Sequence, residues 1–414
     1  MKADIYPLIE KIESGERISR EEGLILLHCQ DLSLLAVMAD MIRRRWHPHN
    51  YVTYIVDRNI NYTNVCTAGC AFCAFHCPPG SDMGYILSRE KLAEKIEETK
   101  TLGGIQILLQ GGLNPALSLE WFEDLFRWIK EEHPIHIHGL SPPEILFLSK
   151  QSGLSVEETL KRLIAAGLDS IPGGGAEILA DPARKRMGAY KKASSDAWLH
   201  VMETAHRLGL LTTATMMFGA VETLEERLEH LLKIRDLQDQ STVSSQQSAV
   251  DSGQPASGEG IGEIDSIGGL NDWSTCHALR VTSHFFSGQS AVGSGKDRGR
   301  FTAFIPWVYQ PAKTRLSGKK ASSFEYLKMV AVSRILLDNI PNIQASWVTQ
   351  GGQISQLALH MGCNDLGSTM IEENVVAATG VKFSMSPEEI EALIRAEGFI
   401  PVRRNQAYEM IEDA

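Results

Sequence analysis

Four cysteines lie close together in the stretch "NVCTAGCAFCAFHC". Cys66, Cys70 and Cys73 have the spacing C-x3-C-x2-C, and Cys77 follows them. Three thiolates can bind three corners of a [4Fe–4S] cluster and leave the fourth iron open to a non-protein ligand. A structural zinc ion usually takes four ligands, and the zinc alternative would need Cys77 and His76 together with two of the other cysteines. The spacing therefore predicts an iron–sulfur cluster, with zinc as the alternative.

The composition predicts a cytoplasmic protein. The chain has 414 residues, a formal net charge of -11 and seven cysteines. Its start lacks the apolar core of a secretory signal, and no apolar run approaches the roughly 18 residues of a membrane span. In a reducing compartment, seven cysteines favour metal or redox chemistry over disulfides. Because the negative charge opposes contact with phosphates and anionic lipid, we expect neither nucleic-acid nor membrane partners.

The cysteines must be positioned by a larger scaffold. Residues 1–50 are predicted to be a helical extension, in which Ser19 and Glu22 have the spacing of a capping box. From Tyr51 onward, about eight strands alternate with amphipathic helices, which predicts an α/β fold with a closed (β/α)8 barrel; an open doubly wound sheet is the alternative. Polar and glycine-rich residues follow each strand, and the cysteines follow the first one.

The predicted domain of residues 51–414 contains the barrel and C-terminal elements and is interrupted once. Residues 241–300 are rich in Ser and Gly and show no lasting helical or strand period. This composition predicts a mostly disordered insertion, with a small lid as the alternative.

With Phe72 before the last cysteine, the loop has the pattern C-x3-C-x-aromatic-C and resembles that of the radical S-adenosylmethionine (SAM) superfamily. The resemblance implies two cofactors, a [4Fe–4S] cluster and SAM. In that superfamily the open iron binds the amino and carboxylate groups of SAM. An electron from the reduced cluster then cleaves SAM to methionine and a 5′-deoxyadenosyl radical. A small reducing electron donor is the implied partner.

Further motifs resemble the family of cyclic dehypoxanthinyl futalosine synthases of menaquinone biosynthesis. They include "RNINYTNVC", "ILLQGGL", "HIHGLSPPEI", "GLDSIPGGGAEIL", "TTATMMFG" and "FTAFIPW". The implied reaction takes the C4′ hydrogen of the small-molecule substrate dehypoxanthine futalosine. The C4′ radical then adds to the substrate's benzoate ring, and loss of a proton and an electron restores aromaticity. The alternatives are aminofutalosine synthase, a related radical SAM enzyme, and a non-catalytic iron–sulfur protein with Cys77 as the fourth ligand.

The resemblance also implies roles for individual residues. The expected cofactor contacts are Phe72, Gln110, Gly111, Gly112, Ser141 and Glu177. The expected substrate contacts are Asn61, His138 and Arg184. Glu222 is the candidate for accepting the late proton. The alternative for Glu222 is binding of a substrate hydroxyl. The others, except Phe72, have structural alternatives, such as a turn glycine, a core amide, a satisfied histidine or a solvated helix face.

The chain departs from the family pattern at three places. Ala220 stands where the family usually carries a histidine, and its methyl group cannot transfer a proton. Cys77 would add an exposed, oxidisable thiol beside the cluster. The third departure is the insertion, which could disturb the rim of the active site.

Overall fold

The computed structural model describes residues 5–251, 299–381 and 384–411, with only the backbone described for 242–251. One compact unit comprises residues 1–242 and 298–414. Residues 243–297 form a second unit, of which only the end of one helix belongs to the described residues.

The described elements alternate between strand and helix through most of the chain. The strands are β1 (Tyr51–Ile55), β2 (Asp57–Ile60), β3 (Gln106–Leu109), β4 (His136–Gly139), β5 (Ser170–Ile171), β6 (Leu211–Phe218), β7 (Phe301–Val308), β8 (Asn342–Ile343), β9 (Asp365–Ser368) and β10 (Ile400–Arg403). The helices are α1 (Tyr6–Glu13), α2 (Arg20–His28), α3 (Leu32–Trp46), α4 (Arg89–Thr101), α5 (Leu119–Glu132), α6 (Pro142–Ser152), α7 (Val156–Ala166), α8 (Asp181–Met187), α9 (Ser195–Arg207), α10 (Leu224–Asp251), α11 (Ser323–Leu336), α12 (Trp347–Gln350), α13 (Gly352–Leu359) and α14 (Pro387–Ala396). A 3-10 turn covers Ala377–Thr379.

Serine side chains start many of these helices. The predicted capping box is present in α2, where the Ser19 hydroxyl accepts from the Glu22 N–H and the Glu22 carboxylate accepts from the Ser19 N–H. Serine hydroxyls accept in the same way at the starts of α4, α5, α7, α9, α11 and α14. Because each cap satisfies a backbone donor left free by the first turn, the starts of these helices are encoded locally.

The strands confirm the predicted (β/α)8 barrel class. Strands β2 to β8 form one curled parallel sheet in chain order, and β1 lies between β9 and β10 in a second parallel sheet. Gln344, just after β8, bridges to Asp365 of β9, and the Thr369 N–H donates to the Ile55 carbonyl at 3.0 Å. Because β1 runs directly into β2, these contacts bring the last strand of the curled sheet back to its first. The eight predicted strands correspond to β1 with β2 and to β3 through β9, with one correction. The predicted seventh strand, "IQASWVTQGG", shares only Ile343 with β8, and helix α12 occupies much of the rest.

The predicted insertion begins differently from the expectation. Helix α10 continues to Asp251, so residues 241–251 are helical and do not belong to a structureless segment. The rest of the insertion, up to residue 298, lies outside the described residues. Among the described helices, none combines the length and the apolar character that crossing a membrane requires.

Buried histidines make the fold sensitive to acid. His206 is 2% exposed. Its Nε2 forms a hydrogen bond with the Thr212 hydroxyl at 2.7 Å, and its Nδ1 forms one with the Ser241 hydroxyl at 2.8 Å. Burial lowers the pKa of His206 to about 3. Its ordinary value is 6.5, so below that pH the unfolded chain binds a proton that the folded chain does not.

We therefore expect stability to fall as the pH drops from 6.5 toward 3. The contribution of His206 is at most about 2 kcal/mol between pH 7 and pH 5. Urea unfolding at the two pH values should show a smaller pH dependence for His206→Gln than for the unmodified protein. The exposed His200→Gln variant should keep the full dependence, and equal slopes in all three proteins would contradict the assignment.

Candidate active site

The three cysteines of the predicted cluster site lie together after β2, at the carboxyl end of the barrel strands. Cys70 is buried, whereas Cys66 and Cys73 are half-buried. They share one small apolar cluster with Ala68, Leu113, Phe72 and Phe147. Burial raises the pKa of the Cys70 thiol to about 11, so its thiolate form requires a nearby positive charge such as bound iron.

The loop between the cysteines is clamped from two sides through Ala71. The Ala71 N–H donates to the Met187 carbonyl at the end of α8, at 3.2 Å. The N–H groups of Arg315 and Leu316, which follow β7, donate to the Ala71 carbonyl at 2.8 and 2.9 Å. Two distant parts of the chain thus fix the conformation of the cysteine loop.

Cys77 occupies a different position from the one expected. Its N–H donates to the Asn64 carbonyl at 3.0 Å, and its carbonyl accepts from the Cys66 N–H at 2.9 Å. The side chain is buried, and its sulfur lies beside Gly84. The expectation of an exposed thiol is therefore wrong, and Cys77 does not belong to the apolar cluster that the other three cysteines share.

Gly111 and Gly112 let the segment after β3 pass under the cysteine loop. A Cβ atom on Gly112 would lie 2.2 Å from the Val65 carbonyl oxygen and 2.8 Å from Cys66 Cβ. On Gly111 it would lie 2.6 Å from the Tyr62 ring. The missing side chains are thus required by the protein's own packing, and contact with SAM remains a prediction.

The buried carboxylate of Glu144, which was not predicted from the sequence, connects the glycine segment after β3 to the start of α6, which follows β4. Glu144 Oε1 accepts from the Tyr62 hydroxyl at 2.5 Å and from the Gly111 N–H at 2.9 Å. Its Oε2 accepts from the Ser141 N–H at 2.7 Å and from the Ser141 hydroxyl. Burial raises the pKa of Glu144 despite these bonds. Ser141 is therefore a helix cap here; the capping-box spacing in "SPPE" was the available signal.

Glu177, the predicted SAM contact, forms a buried ion pair with Lys192 that was not predicted from the sequence. Its Oε1 lies 2.8 Å from Lys192 Nζ, and the two side chains are 6% and 14% exposed. Lys192 Nζ also lies 5.2 Å from the centre of the Phe72 ring. Burial lowers the pKa of Lys192, but the charges of Glu177 and Cys70 outweigh burial and raise it overall. Lys192 thus places a positive charge beside the cysteine loop.

Two buried oxygen atoms in this region have no hydrogen-bond partner among the described residues: Glu177 Oε2 and Asn61 Oδ1. Glu177 also has a left-handed backbone, with φ +39, which is unusual for a residue other than glycine. Unpaired buried acceptors are costly, and a bound ligand with N–H or O–H groups would satisfy them. Together with three clustered thiols, they fit an iron–sulfur cluster with a polar ligand beside it.

Gln110 and His138, a predicted cofactor contact and a predicted substrate contact, have different neighbours. A Cβ atom on Gly174 would lie 2.4 Å from Gln110 Nε2, so the Gln110 amide lies across the glycine turn after β5. His138 lies 2.7 Å from the Ser170 hydroxyl and 3.3 Å from Gln406 Nε2. Burial holds the pKa of His138 well below its ordinary value, so this imidazole is neutral.

Arg184 does not line an open site. Its side chain is fully buried, and its guanidinium donates to the backbone carbonyls of Gly175, Ala176, Ile178 and Ala193. Arg184 Nη1 also lies 3.7 Å from Glu177 Oε2, an ion pair within the protein. This corrects both readings of the sequence, because the side chain is neither on a solvated helix face nor free to bind the carboxylate of a ligand. It holds the glycine turn that carries Glu177.

Glu222 is also occupied within the protein. Its carboxylate accepts from the N–H groups of Gly219, Ala220 and Val221 at 2.6 to 3.1 Å and from Arg227 at 2.8 Å. No part of its side chain is exposed. This corrects the assignment as proton acceptor, because the carboxylate anchors the loop after β6 and has no accessible oxygen.

We expect Glu222→Gln to act on stability. The amide would lose charged hydrogen bonds and leave buried Arg227 with Glu325, at 2.7 Å, as its remaining carboxylate partner, at a cost of about 2 kcal/mol. Urea unfolding should show this loss, and the exposed Glu225→Gln variant should show almost none. Normal stability with a selective loss of turnover would instead restore the catalytic role.

Ala220, where the family usually carries a histidine, lies in the same neighbourhood. It packs in a small apolar cluster with Phe72, Met187, Met217 and Tyr309. A methyl group at this position extends the apolar wall next to the cysteine loop. Within the described part of the chain, no three His, Cys, Asp or Glu side chains meet closely enough to hold a single metal ion.

Two family models match the chain. Residues 60–234 match the radical SAM superfamily, and residues 298–414 match the CofH/MqnC C-terminal region. Among solved structures, methylornithine synthase has a TM-score of 0.64 at 17% identity, covering 97% of this chain and 98% of that one. HydG, a maturase of the [FeFe]-hydrogenase, has a TM-score of 0.65 at 16% identity, covering 99% and 77%. These two likenesses concern the fold.

Closer similarity appears among curated relatives. The cyclic dehypoxanthine futalosine synthase of Halalkalibacterium halodurans is 39% identical and covers 98% of this chain and 94% of its own length. That of Streptomyces coelicolor is 38% identical, with 99% and 89% covered. A 5-amino-6-(D-ribitylamino)uracil–L-tyrosine 4-hydroxyphenyl transferase of Methanococcoides burtonii is 35% identical, with 95% and 96% covered.

The matches and the cysteine loop agree on an enzyme whose cofactors are a [4Fe–4S] cluster and SAM. Cys66, Cys70 and Cys73 lie in one cluster and would be the three thiols that such a cofactor needs. This chain therefore belongs to the radical SAM superfamily and, within it, to the family of the cyclic dehypoxanthine futalosine synthases.

Proposed function

We propose that the protein is a radical SAM cyclase that converts dehypoxanthine futalosine to cyclic dehypoxanthine futalosine in menaquinone biosynthesis. The observation that carries this proposal is the identity of 38 to 39% to two synthases of that name over nearly the whole chain. The three-thiol loop at the carboxyl end of the barrel is consistent with it, because barrel enzymes place their chemistry at that end.

When bound, the cluster and SAM supply a 5′-deoxyadenosyl radical, which takes the hydrogen from C4′ of the substrate. Cys66, Cys70 and Cys73 would hold the cluster. Glu177 and Lys192 present opposite charges side by side, which suits the ammonium and carboxylate groups of an amino acid.

The remaining task of the protein is to orient the substrate and exclude water. Phe72, Leu113 and Phe147 form an apolar wall around the thiols. Asn61 offers an unpaired carbonyl oxygen that a hydroxyl group of the substrate could satisfy. His138 is neutral, so it cannot balance the charge of the benzoate, and a hydrogen bond to the substrate would replace its 3.3 Å contact with Gln406. Asn61 and His138 remain our proposed substrate contacts.

A small reducing protein would supply the electron, and the cytoplasm is the compartment we propose. The low-potential chemistry and six free cysteines among the described residues suit a reducing environment. We propose no nucleic-acid or membrane partner, because the net charge of -11 opposes both.

The test is an anaerobic incubation of cluster-loaded protein with a reductant, SAM and dehypoxanthine futalosine. We expect 5′-deoxyadenosine and the cyclised product in equal amounts. An adduct that retains the adenosyl skeleton, formed from an enolpyruvyl benzoate without free 5′-deoxyadenosine, would indicate an aminofutalosine synthase instead.

A second candidate follows from the methanogen relatives, which are 33 to 35% identical. Their name describes transfer of a hydroxyphenyl group from tyrosine to a ribitylaminouracil. Incubation with those two compounds provides the discriminating arm. Product in that arm, with none from dehypoxanthine futalosine, would overturn the cyclase proposal.

A further inference from the structure

Two segments of this acidic chain are strongly basic. Residues 184–192, "RKRMGAYKK", and residues 311–320, "PAKTRLSGKK", contain nine lysines and arginines and no Asp or Glu. The whole chain has 51 acidic and 40 basic residues. Positive charge is therefore concentrated in two places that are far apart in sequence.

Both segments meet at the cysteine loop. Met187 lies in the first segment and accepts from the Ala71 N–H, and Arg315 and Leu316 lie in the second and donate to the Ala71 carbonyl. The Arg315 side chain also donates to the Gly69 carbonyl at 2.5 Å. The two basic segments therefore flank the loop that carries the cluster ligands.

Some of these charges are used inside the protein and others are not. Arg184 is buried, Lys192 pairs with Glu177 and Arg186 pairs with Glu226. The exposed remainder includes five side chains that we call the basic rim: Lys185, Tyr190, Lys191, Lys313 and Arg315. Within the described part of the chain, none of its four cations forms an ion pair with a carboxylate. Tyr190 is 42% exposed, and the centre of its ring lies 4.9 Å from Lys185 Nζ.

We propose that the basic rim is the docking surface for an acidic one-electron carrier protein with a flavin or iron–sulfur centre. The basic rim flanks the loop that carries the half-buried Cys66 and Cys73, so a carrier bound there would lie beside these thiols. One electron would pass from the reduced carrier to the oxidised cluster, with no bond made or broken and no proton moved. The carrier is oxidised by one electron and the cluster is reduced by one.

The charge pattern favours this partner over others. The net charge of -11 repels an acidic carrier overall, whereas the cations of the rim attract it. Such complementarity raises the association rate and fixes the orientation of the complex more than it raises affinity. An exposed tyrosine among the cations supplies the kind of aromatic anchor that interfaces favour.

The inference rests on the bound cluster and not on the proposed substrate, so the test contains no futalosine. The variant combines Lys185→Glu, Lys191→Glu and Lys313→Glu. The matched control combines Arg20→Glu, Lys150→Glu and Lys161→Glu, three exposed cations elsewhere on the chain, and it changes the net charge equally. Both are prepared with the cluster, and flavodoxin, an acidic flavin protein, is the probe.

We expect the rim variant to bind oxidised flavodoxin about tenfold more weakly at low salt, and to be reduced by reduced flavodoxin about tenfold more slowly. The control variant should stay within about twofold of the unmodified protein. Excess dithionite should reduce the cluster to the same extent in all three, which shows that the cluster is intact.

Equal binding and equal reduction rates in the rim and control variants would overturn the proposal. So would a rate of reduction by flavodoxin that does not depend on salt in the unmodified protein. Failure to convert dehypoxanthine futalosine would refute the proposed function and leave these results unaffected.

Discussion

Replacing Cys70 with serine should abolish cluster binding. Cys70 is the most buried of the three clustered thiols, 5% exposed, and lies at the centre of the loop clamped through Ala71. A hydroxyl group is a harder, poorer ligand for iron than a thiolate. Iron and sulfide content after anaerobic reconstitution should fall at least about tenfold, since even outer-shell changes at metal sites cost 10 to 100-fold in affinity.

The matched control is Cys77→Ser. The Cys77 sulfur lies beside Gly84 and outside the apolar cluster of the other three thiols, so this variant should keep its full iron content. Its electron paramagnetic resonance signal should still change when SAM is added, because the fourth iron stays open. Loss of the cluster in Cys77→Ser would show four protein ligands and favour a non-catalytic iron–sulfur protein.

Replacing Lys192 with methionine should have the second large effect. The change removes the cation that pairs with buried Glu177 at 2.8 Å and lies over Phe72. Removing one partner of a buried ion pair typically costs about 3 to 5 kcal/mol. Lys192 is 14% exposed, and Glu177 keeps a second cation, Arg184 Nη1 at 3.7 Å, so we expect a cost below that range. Because Glu177 then lacks its nearest cation, we also expect the SAM-dependent change in the cluster signal to disappear.

Two comparisons separate positioning from mere loss of stability. Lys191→Met removes a neighbouring exposed cation and should leave both stability and the spectroscopic response unchanged. Lys192→Arg keeps the charge and should recover most of the stability. A Lys192→Met variant that is destabilised but still responds to SAM would show that the pair is structural only.

The strands and the three cysteines could be predicted from sequence because both are encoded locally. Alternation along β3 and β4, and serine caps before the helices, report on residues a few positions apart. The C-terminal strand β10 was not predicted, because its four residues are partly or largely exposed and pair with the distant β1. The break between β1 and β2 was not predicted either, because it depends on distant partners: β1 pairs with β9 and β10, whereas β2 pairs with β3.

The polar residues of the site were harder to predict, because a sequence shows a charge but not what satisfies it. Arg184 and Glu222 looked available, yet backbone carbonyls surround the first and backbone N–H groups the second. Nothing in "YKK" distinguishes Lys192 from the exposed Lys191 beside it. The ion pair of Lys192 with Glu177 joins residues 15 positions apart, and Glu177 lies in a turn with a left-handed backbone.

The clamp on Ala71 has a consequence for how the protein is made. The cysteines emerge early during synthesis, but Arg315, whose side chain binds the Gly69 carbonyl 246 residues earlier, emerges much later. Contacts of such long separation form late in folding. The loop can reach its final shape only when most of the chain has left the ribosome, so we expect iron and sulfide to enter a site whose barrel is already largely synthesised.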